Sequence, residues 1–174
     1  MATIPEVDPT APPTTMERAM RRFVMSDVGT WIAMKLSTRV DPPMLRLSRG
    51  RISTGVFFPV VLLTAKGRRS GRPRTVPLVY FTQGDEVILT ASSFGRPKDP
   101  AWYLNVKANP EVELLAGGVR RRYRARETSG EERDRLFALA ERLYAGYGLY
   151  AKRTAGRTIP VLALSPVSDA GASA

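Results

Sequence analysis

Three short runs rich in β-branched and aromatic residues, over 60–64, 75–82 and 86–91, follow one another, the first two separated by a glycine-punctuated basic loop and the last two by a short turn. Each is too short for a helical stripe, so each is expected as a strand. Gln83-Gly84-Asp85 turns the second run back into the third. A hairpin is expected over 112–115 and 119–126, closed by Gly117-Gly118, and a last strand over 158–164. Two helices interrupt the strands. Asp99 offers an acid cap with Pro100 at the first helical position, opening a helix that runs to Lys107 and is closed by Asn109-Pro110. Thr128 or Ser129 is expected to cap a second helix, with Glu131 or Glu132 as capping-box partner and Leu136, Leu139, Ala140 and Leu143 as its buried stripe. Past Gly146 and Gly148 the helical pattern is expected to break. Short strands with inserted helices, and no internal repeat, indicate an α+β chain built as a closed or split antiparallel β-barrel.

A chain of 174 residues with 43% hydrophobic content suits one domain with a real core. Residues 1–15 hold four prolines, two acids and no lysine or arginine, and are expected to be a disordered tail without the features of a signal peptide. Over 16–46 a helical segment is expected. Its residues Met16, Met20, Phe23, Trp31 and Met34 fall on one arc with Arg18, Arg21 and Arg22 off it, although Asp27 and Gly29 interrupt the pattern. This basic amphipathic helix over 16–38 either packs on the core or lies against a membrane surface or over the active site. Residues 47–166 form the main domain, with a second tail over 167–174. The longest apolar run, 56–63, is broken by Pro59 and far short of the ~20 residues of a membrane span. A cytoplasmic protein is expected, with peripheral contact at the inner face of the cell membrane as an open alternative.

Lysine and arginine number 27 against 16 acids, a formal charge of +11 that favours nucleic acid, an anionic surface or an anionic small molecule as partner. The chain has no cysteine and no histidine. Thiolate nucleophiles, Ser-His-Asp triads and the common transition-metal ligand sets are thereby excluded, and no metal site is expected. Chemistry must come from Ser, Tyr, Lys, Arg, carboxylates or an organic cofactor.

Three clusters compete for that chemistry. The strand at 60–64 empties into a loop holding Lys66, Arg68, Arg69, Arg72 and Arg74 with two glycines and no acid. Such cations repel one another and gain from a bound polyanion, although a solvated hairpin tip is the bland alternative. Ala91, Ser92 and Ser93 with Ala101, Trp102, Tyr103, Leu104 and Asn105 form the second, where hydroxyls and backbone N–H groups suit the polar edge of a ring and the indole suits its face. Tyr144, Tyr147 and Tyr150, three apart, share one helical face and, without histidine, are the best proton donors or electrophilic hydrogen bonders. The neighbouring glycines suggest a mobile wall over the site. Arg120, Arg122, Arg124 and Arg126 occupy one face of a strand and are expected to be solvated.

The segments Leu62-Leu63-Thr64, Gly67-Arg68-Arg69-Ser70-Gly71-Arg72-Pro73-Arg74, Pro77-Leu78, Asp99-Pro100-Ala101-Trp102-Tyr103-Leu104-Asn105-Val106-Lys107-Ala108-Asn109-Pro110 and Arg157-Thr158-Ile159-Pro160-Val161 resemble the deazaflavin-dependent nitroreductase family, in the same order and over about 60–166. The resemblance implies a split, FMN-binding-like β-barrel over 47–166 that binds the reduced deazaflavin coenzyme F420, whose lactyl phosphate and oligoglutamate tail form a polyanion. By that similarity Lys66, Arg68, Arg69, Ser70 and Arg74 grip phosphate and tail. Thr75, Val76, Pro77, Leu78, Val79, Thr90, Ala91, Ser92, Ser93, Ala101, Trp102, Tyr103, Leu104 and Asn105 line the deazaflavin. Two departures bear on substrate preference: Ser93 stands where related proteins carry a lysine, and the segment between Tyr150 and Arg157 is one residue longer.

The expected reaction is hydride transfer from reduced F420 to an electron-poor acceptor: a quinone, an enone or other activated alkene, or a nitro compound. Tyr147, with Tyr144, Tyr150 or Ser92, is expected to hydrogen-bond the acceptor oxygen as charge develops. The amphipathic helix over 16–38 would give access to membrane-soluble quinones. A monomer or homodimer is expected. A split-barrel reductase using flavin mononucleotide is the nearest alternative. Non-catalytic nucleic-acid binding is the other, weakened because Tyr123 is the one aromatic residue in the arginine-rich strand.

Overall fold

The computed structural model describes residues 3–12 and 58–167. The amphipathic helix over 16–38, the connector that follows it and the tail beyond 167 lie outside the described residues. Six antiparallel strands form the barrel: β1 (Val60–Lys66), β2 (Pro73–Gln83), β3 (Glu86–Thr90), β4 (Glu111–Ala116), β5 (Val119–Glu127) and β6 (Val161–Pro166). They run in the order β1-β2-β3-β6-β5-β4, and Leu62↔Leu115 and Leu63↔Leu114 pair β1 with β4 to close the sheet on itself. Closure leaves none of the six described strands as an edge.

Alternation along the strands places Val61, Leu63, Ala65, Val87, Leu89, Val112, Leu114, Tyr123, Leu162 and Leu164 in one core inside the barrel. On the outer face of β3 and β6 the residues are also apolar, because helices cover them. Ile88, Val161 and Ala163 lie beneath Leu136, Phe137, Ala140 and Leu143 of α2 (Gly130–Leu143) and Tyr147 and Tyr150 of α3 (Gly146–Arg153). That is why β3 reads as a continuous apolar run. Among the described residues the outer face of β5 has no such cover, and Arg120, Arg122, Arg124 and Arg126 stand exposed there. Arg120 pairs with Glu113 across the hairpin, and Arg126 bridges Glu86 and Glu132.

Opposite ends of the barrel are closed differently. At the end where β3 exits and β6 enters, α1 (Ala101–Ala108) inserts Tyr103 and Val106 into the interior core. Residues 3–12 close the other end. Ile4 is buried in the core, the Tyr80 hydroxyl donates to the Pro5 carbonyl at 3.0 Å, Val7 N–H donates to Thr82 Oγ1 at 2.8 Å, and Thr82 N–H donates to the Val7 carbonyl at 3.0 Å. The disorder expected from the prolines over 1–15 therefore fails for these residues. Two apolar side chains and the exchanged bonds outweigh the composition.

The strand boundaries shift by up to three residues from expectation, and three further differences have physical causes. Asp99 does not cap α1, because Arg157 takes its carboxylate at 2.8 Å. The capping box of α2 does not form: Ser129 is the N-cap without a side-chain bond, Thr128 donates instead to the Val161 carbonyl at 2.9 Å, and Glu132 is drawn to Arg126. The chain also resumes helical geometry at Gly146 after one extended residue, Tyr144, so the expected break is a single kink.

Candidate active site

The β1–β2 loop is a compact turn held by backbone bonds from Gly67 N–H to the Arg72 carbonyl, 2.9 Å, and from Gly71 N–H to the Gly67 carbonyl, 2.8 Å. Gly71 sits at φ +65°, which favours glycine. At Gly67 a side chain would press on Ser70 Oγ and the Arg72 carbonyl, at 2.9 and 3.0 Å. The turn thus fans out Lys66, Arg68, Arg69, Arg72 and Arg74, all exposed, and none of the described ion pairs involves them. Arg68 N–H donates to Asn105 Oδ1 at 3.1 Å, fastening the loop to α1. Two of the clusters legible in the sequence are joined by that bond.

From the loop, β2 leads away with five consecutive half-buried residues, Thr75, Val76, Pro77, Leu78 and Val79, whereas β3 is almost wholly buried. Val76 and Leu78 pack on the interior core and Val79 on the outer cluster, so successive side chains leave on opposite faces and a planar ligand here would meet only one row of them with the backbone edge between. Trp102 is half-buried and packs against the core edge, with Leu104 and Asn105 also half-buried and Ala101 exposed. Ala91 and Tyr103 differ from the expected lining. They are 0% and 3% exposed, and the Tyr103 hydroxyl donates to Glu127 Oε2 at 2.9 Å. Thr90 is buried as well, while Ser92 and Ser93 are half-exposed.

Sequence reasoning missed Arg157 as a working residue of this region. Its guanidinium donates to Asp99 Oδ1 and to the carbonyls of Ser92 and Arg96 at 2.8, 3.0 and 3.2 Å. An arginine beside Thr-Ile-Pro, separated by ~60 positions from its partners, carries no local signal of that reach.

The tyrosines converge. Ring centroids of Tyr144 and Tyr147 lie 5.3 Å apart, those of Tyr144 and Tyr150 5.9 Å, and those of Tyr147 and Tyr150 6.3 Å. The Tyr144 and Tyr150 hydroxyls are hydrogen-bonded at 2.9 Å. Tyr147 is buried, and Tyr144 is half-exposed at the outer side of the group. Burial pushes the Tyr147 and Tyr150 phenols well above their ordinary range, reinforced by Tyr144 in each case and, for Tyr147, opposed by a bond with Thr90. These groups are neutral donors at any physiological pH.

A stability prediction follows. Tyr80 is also pushed up by burial, to about 12. Each raised phenol favours the folded chain fully below the ordinary value of 10.0 and loses that contribution as pH rises through the folded values. The melting temperature should accordingly fall from about pH 10 upward. Ionisation of Tyr147 and Tyr150 near pH 10 in the folded protein, read by ultraviolet difference absorbance of single Tyr→Phe variants, would contradict this.

Residues 37–166 match the sequence profile of the F420H2-dependent quinone reductase family. The chain belongs to that family. An F420H2-dependent quinone reductase of Mycobacterium tuberculosis is 33% identical over 147 residues, spanning 80% of this chain and 98% of the relative. A solved F420H2-dependent reductase is 41% identical over 62% of this chain and 94% of its own, with TM-score 0.57. A solved domain-swapped dimer is 33% identical over 80% of this chain and 100% of its own, with TM-score 0.59. The haem storage protein of Vibrio cholerae, 12% identical with TM-score 0.50 over 75% of this chain and 92% of its own, shares the fold alone.

As a member of this family the protein is an F420H2-dependent reductase on a split β-barrel, with coenzyme F420 as its cofactor and a small molecule as its acceptor. The donor set fits that coenzyme: an acid-free loop of exposed cations suits a phosphate and carboxylate tail, and a half-covered strip suits a planar ring. Among the described residues no helix is long and apolar enough to cross a membrane, and no group of three or more acids could hold a metal.

Proposed function

We propose that this F420H2-dependent reductase acts on an electron-poor acceptor of the quinone, activated alkene or nitro class, seated against the tyrosine cluster. The observation that carries this reading is the Tyr144–Tyr150 hydroxyl pair at 2.9 Å, the outer member half-exposed and the inner one held neutral by burial. The reduced coenzyme, when bound, supplies a hydride. The chain's own residues do the rest. Lys66, Arg68, Arg69, Ser70 and Arg74 hold the anionic tail, the Thr75, Val76, Pro77, Leu78 and Val79 strip with Trp102 orients the ring system, and buried apolar groups around Tyr147 exclude water. Tyr144 donates to the acceptor oxygen, and Tyr150 Oη, bonded to it, stabilises the negative charge that develops there.

The test follows coenzyme oxidation anaerobically with menadione, cyclohexenone and a nitroaromatic in turn. Tyr144→Phe should lower kcat about ten- to a hundredfold, the range expected on losing one donor to a developing oxyanion, with F420 affinity little changed. Tyr147→Phe should cost only about threefold, because its hydroxyl is buried and directed to Thr90. The reverse order would make Tyr147 the donor, and equal activity of all variants would remove the tyrosines from the reaction.

A further inference from the structure

The connection from Ala91 to Asp99 contains two successive non-glycine residues in the left-handed region, Ser93 at φ 52° and Phe94 at φ 55°. Such backbone persists only where its surroundings impose it. Arg157 imposes it from one side. With 15% of its side chain exposed, it donates from Nη2 to the Ser92 and Arg96 carbonyls at 3.0 and 3.2 Å, and from Nη1 to Asp99 Oδ1 at 2.8 Å. Longer bonds of 3.4 Å reach the Ala91 carbonyl from Nη1 and the Arg96 carbonyl from Nε. Helix α3 imposes it from the other side: at Gly95 a Cβ would lie 2.9 Å from Arg153 Cβ and 3.0 Å from the Tyr150 carbonyl.

The outcome of this double constraint is the placement of one ring. Phe94 meets Tyr150 edge-on, centroids 6.0 Å apart at 73°, and remains 41% exposed. Phe94 and Leu149, on α3 beside Tyr150, are the exposed large hydrophobic residues among those described. An aromatic ring packed on one side only, in costly backbone, beside a tyrosine whose hydroxyl belongs to the donor pair, is incomplete as core.

We propose that Phe94 is a specificity-determining wall of the acceptor site, selecting planar fused-ring acceptors over single-ring ones, and that Arg157 is the positioning residue that aims it. This rests on the placement of the acceptor at the tyrosine cluster. A fused second ring reaches beyond the hydroxyl pair and covers the open side of Phe94, whereas a single ring held at the same hydroxyls leaves it in water.

The experiment measures calorimetrically the binding of menadione and of methyl-benzoquinone to protein loaded with oxidised F420. Phe94→Asn removes the ring with a residue that tolerates left-handed backbone. It should weaken menadione binding about three- to tenfold, the range of one aromatic contact, and benzoquinone binding less than about twofold, without lowering the melting temperature. Arg157→Lys keeps the charge and loses the fork, and should shift the menadione-to-benzoquinone ratio in the same direction. Asp99→Asn, a milder change, should shift it less. Equal losses for both quinones, or none, in Phe94→Asn would overturn the role of Phe94; a wild-type ratio in folded Arg157→Lys would overturn that of Arg157. If neither quinone binds the loaded wild-type protein, the acceptor placement fails and this inference with it.

Discussion

Replacing Arg68 and Arg69 together by glutamine should weaken F420 binding about a hundredfold, with kcat at saturating coenzyme much less affected. Each exposed guanidinium bonded to phosphate or carboxylate contributes about 1–1.5 kcal/mol once solvent screening is allowed for, and two such losses give roughly 2–3 kcal/mol. The fold should survive. The turn is held by the bonds of Gly67 to Arg72 and of Gly71 to Gly67, and by the Arg68 backbone N–H to Asn105, none of which uses the replaced side chains. A fluorescence titration of F420 at low salt and again in molar salt, where the screening length is about 3 Å, separates charge from shape. Wild-type affinity should fall steeply with salt and the variant's only slightly. Unchanged affinity at low salt would remove the loop from coenzyme binding.

Charge pairing elsewhere strengthens the case. Arg120, Arg126, Arg133, Arg157 and Lys107 all find carboxylates, whereas the five cations of the loop find none among the described residues. An unneutralised cluster is a standing repulsion that a polyanion relieves. The same argument limits what the exposed arginines of β5 say. Two of the four are already paired within the barrel, so part of the charge that raised nucleic acid as a partner is answered by Glu113, Glu86 and Glu132.

Local rules carried the strands and most of the helices, because alternation, turn residues and β-branching act over a few positions. Gly117-Gly118 closes the expected hairpin, both residues at positive φ, and Leu136, Ala140 and Leu143 are buried as their spacing indicates. The failures are long-range. Asp99 and Ser129 look like caps by sequence, yet Arg157 captures Asp99, and Arg126 captures the Glu132 that would have completed the box at Ser129. Tyr103 looked like a ring neighbour beside Trp102, but adjacent helical residues face about 100° apart, and its side turns into the barrel. Phe94 drew no attention because nothing in its neighbours reveals the backbone that Arg157 and α3 force on it.

Gly146 tests the reading of the tyrosine wall most sharply, since two effects oppose each other there. Alanine is the better helix former, by about 1 kcal/mol in a helix interior and by less at Gly146, the first residue of α3, and by that measure Gly146→Ala should slightly stabilise α3. A Cβ at this position, however, would overlap the ring and hydroxyl of Tyr144. Tyr144 must then leave its edge-on contacts with Phe58 and Tyr147, 5.2 and 5.3 Å between centroids, and its bond to Tyr150. Two aromatic contacts and one hydrogen bond together contribute about 2–4 kcal/mol, so the clash should win. The expected result is a modestly lower melting temperature, turnover reduced at least about tenfold as in Tyr144→Phe, and F420 affinity unchanged. Gly148→Ala is the control, because its Cβ would meet chiefly Glu141 Oε1 at 2.6 Å, the end of a side chain that can swing away. If Gly146→Ala turns over normally, Tyr144 is not needed where it stands. If both alanine variants fail alike, flexibility of α3 is what matters, and the glycines beside the tyrosines loosen a mobile wall over the site. Loss confined to Gly146→Ala would instead give that glycine a different purpose: it is small so that Tyr144 can lie across it and hold its hydroxyl at the site.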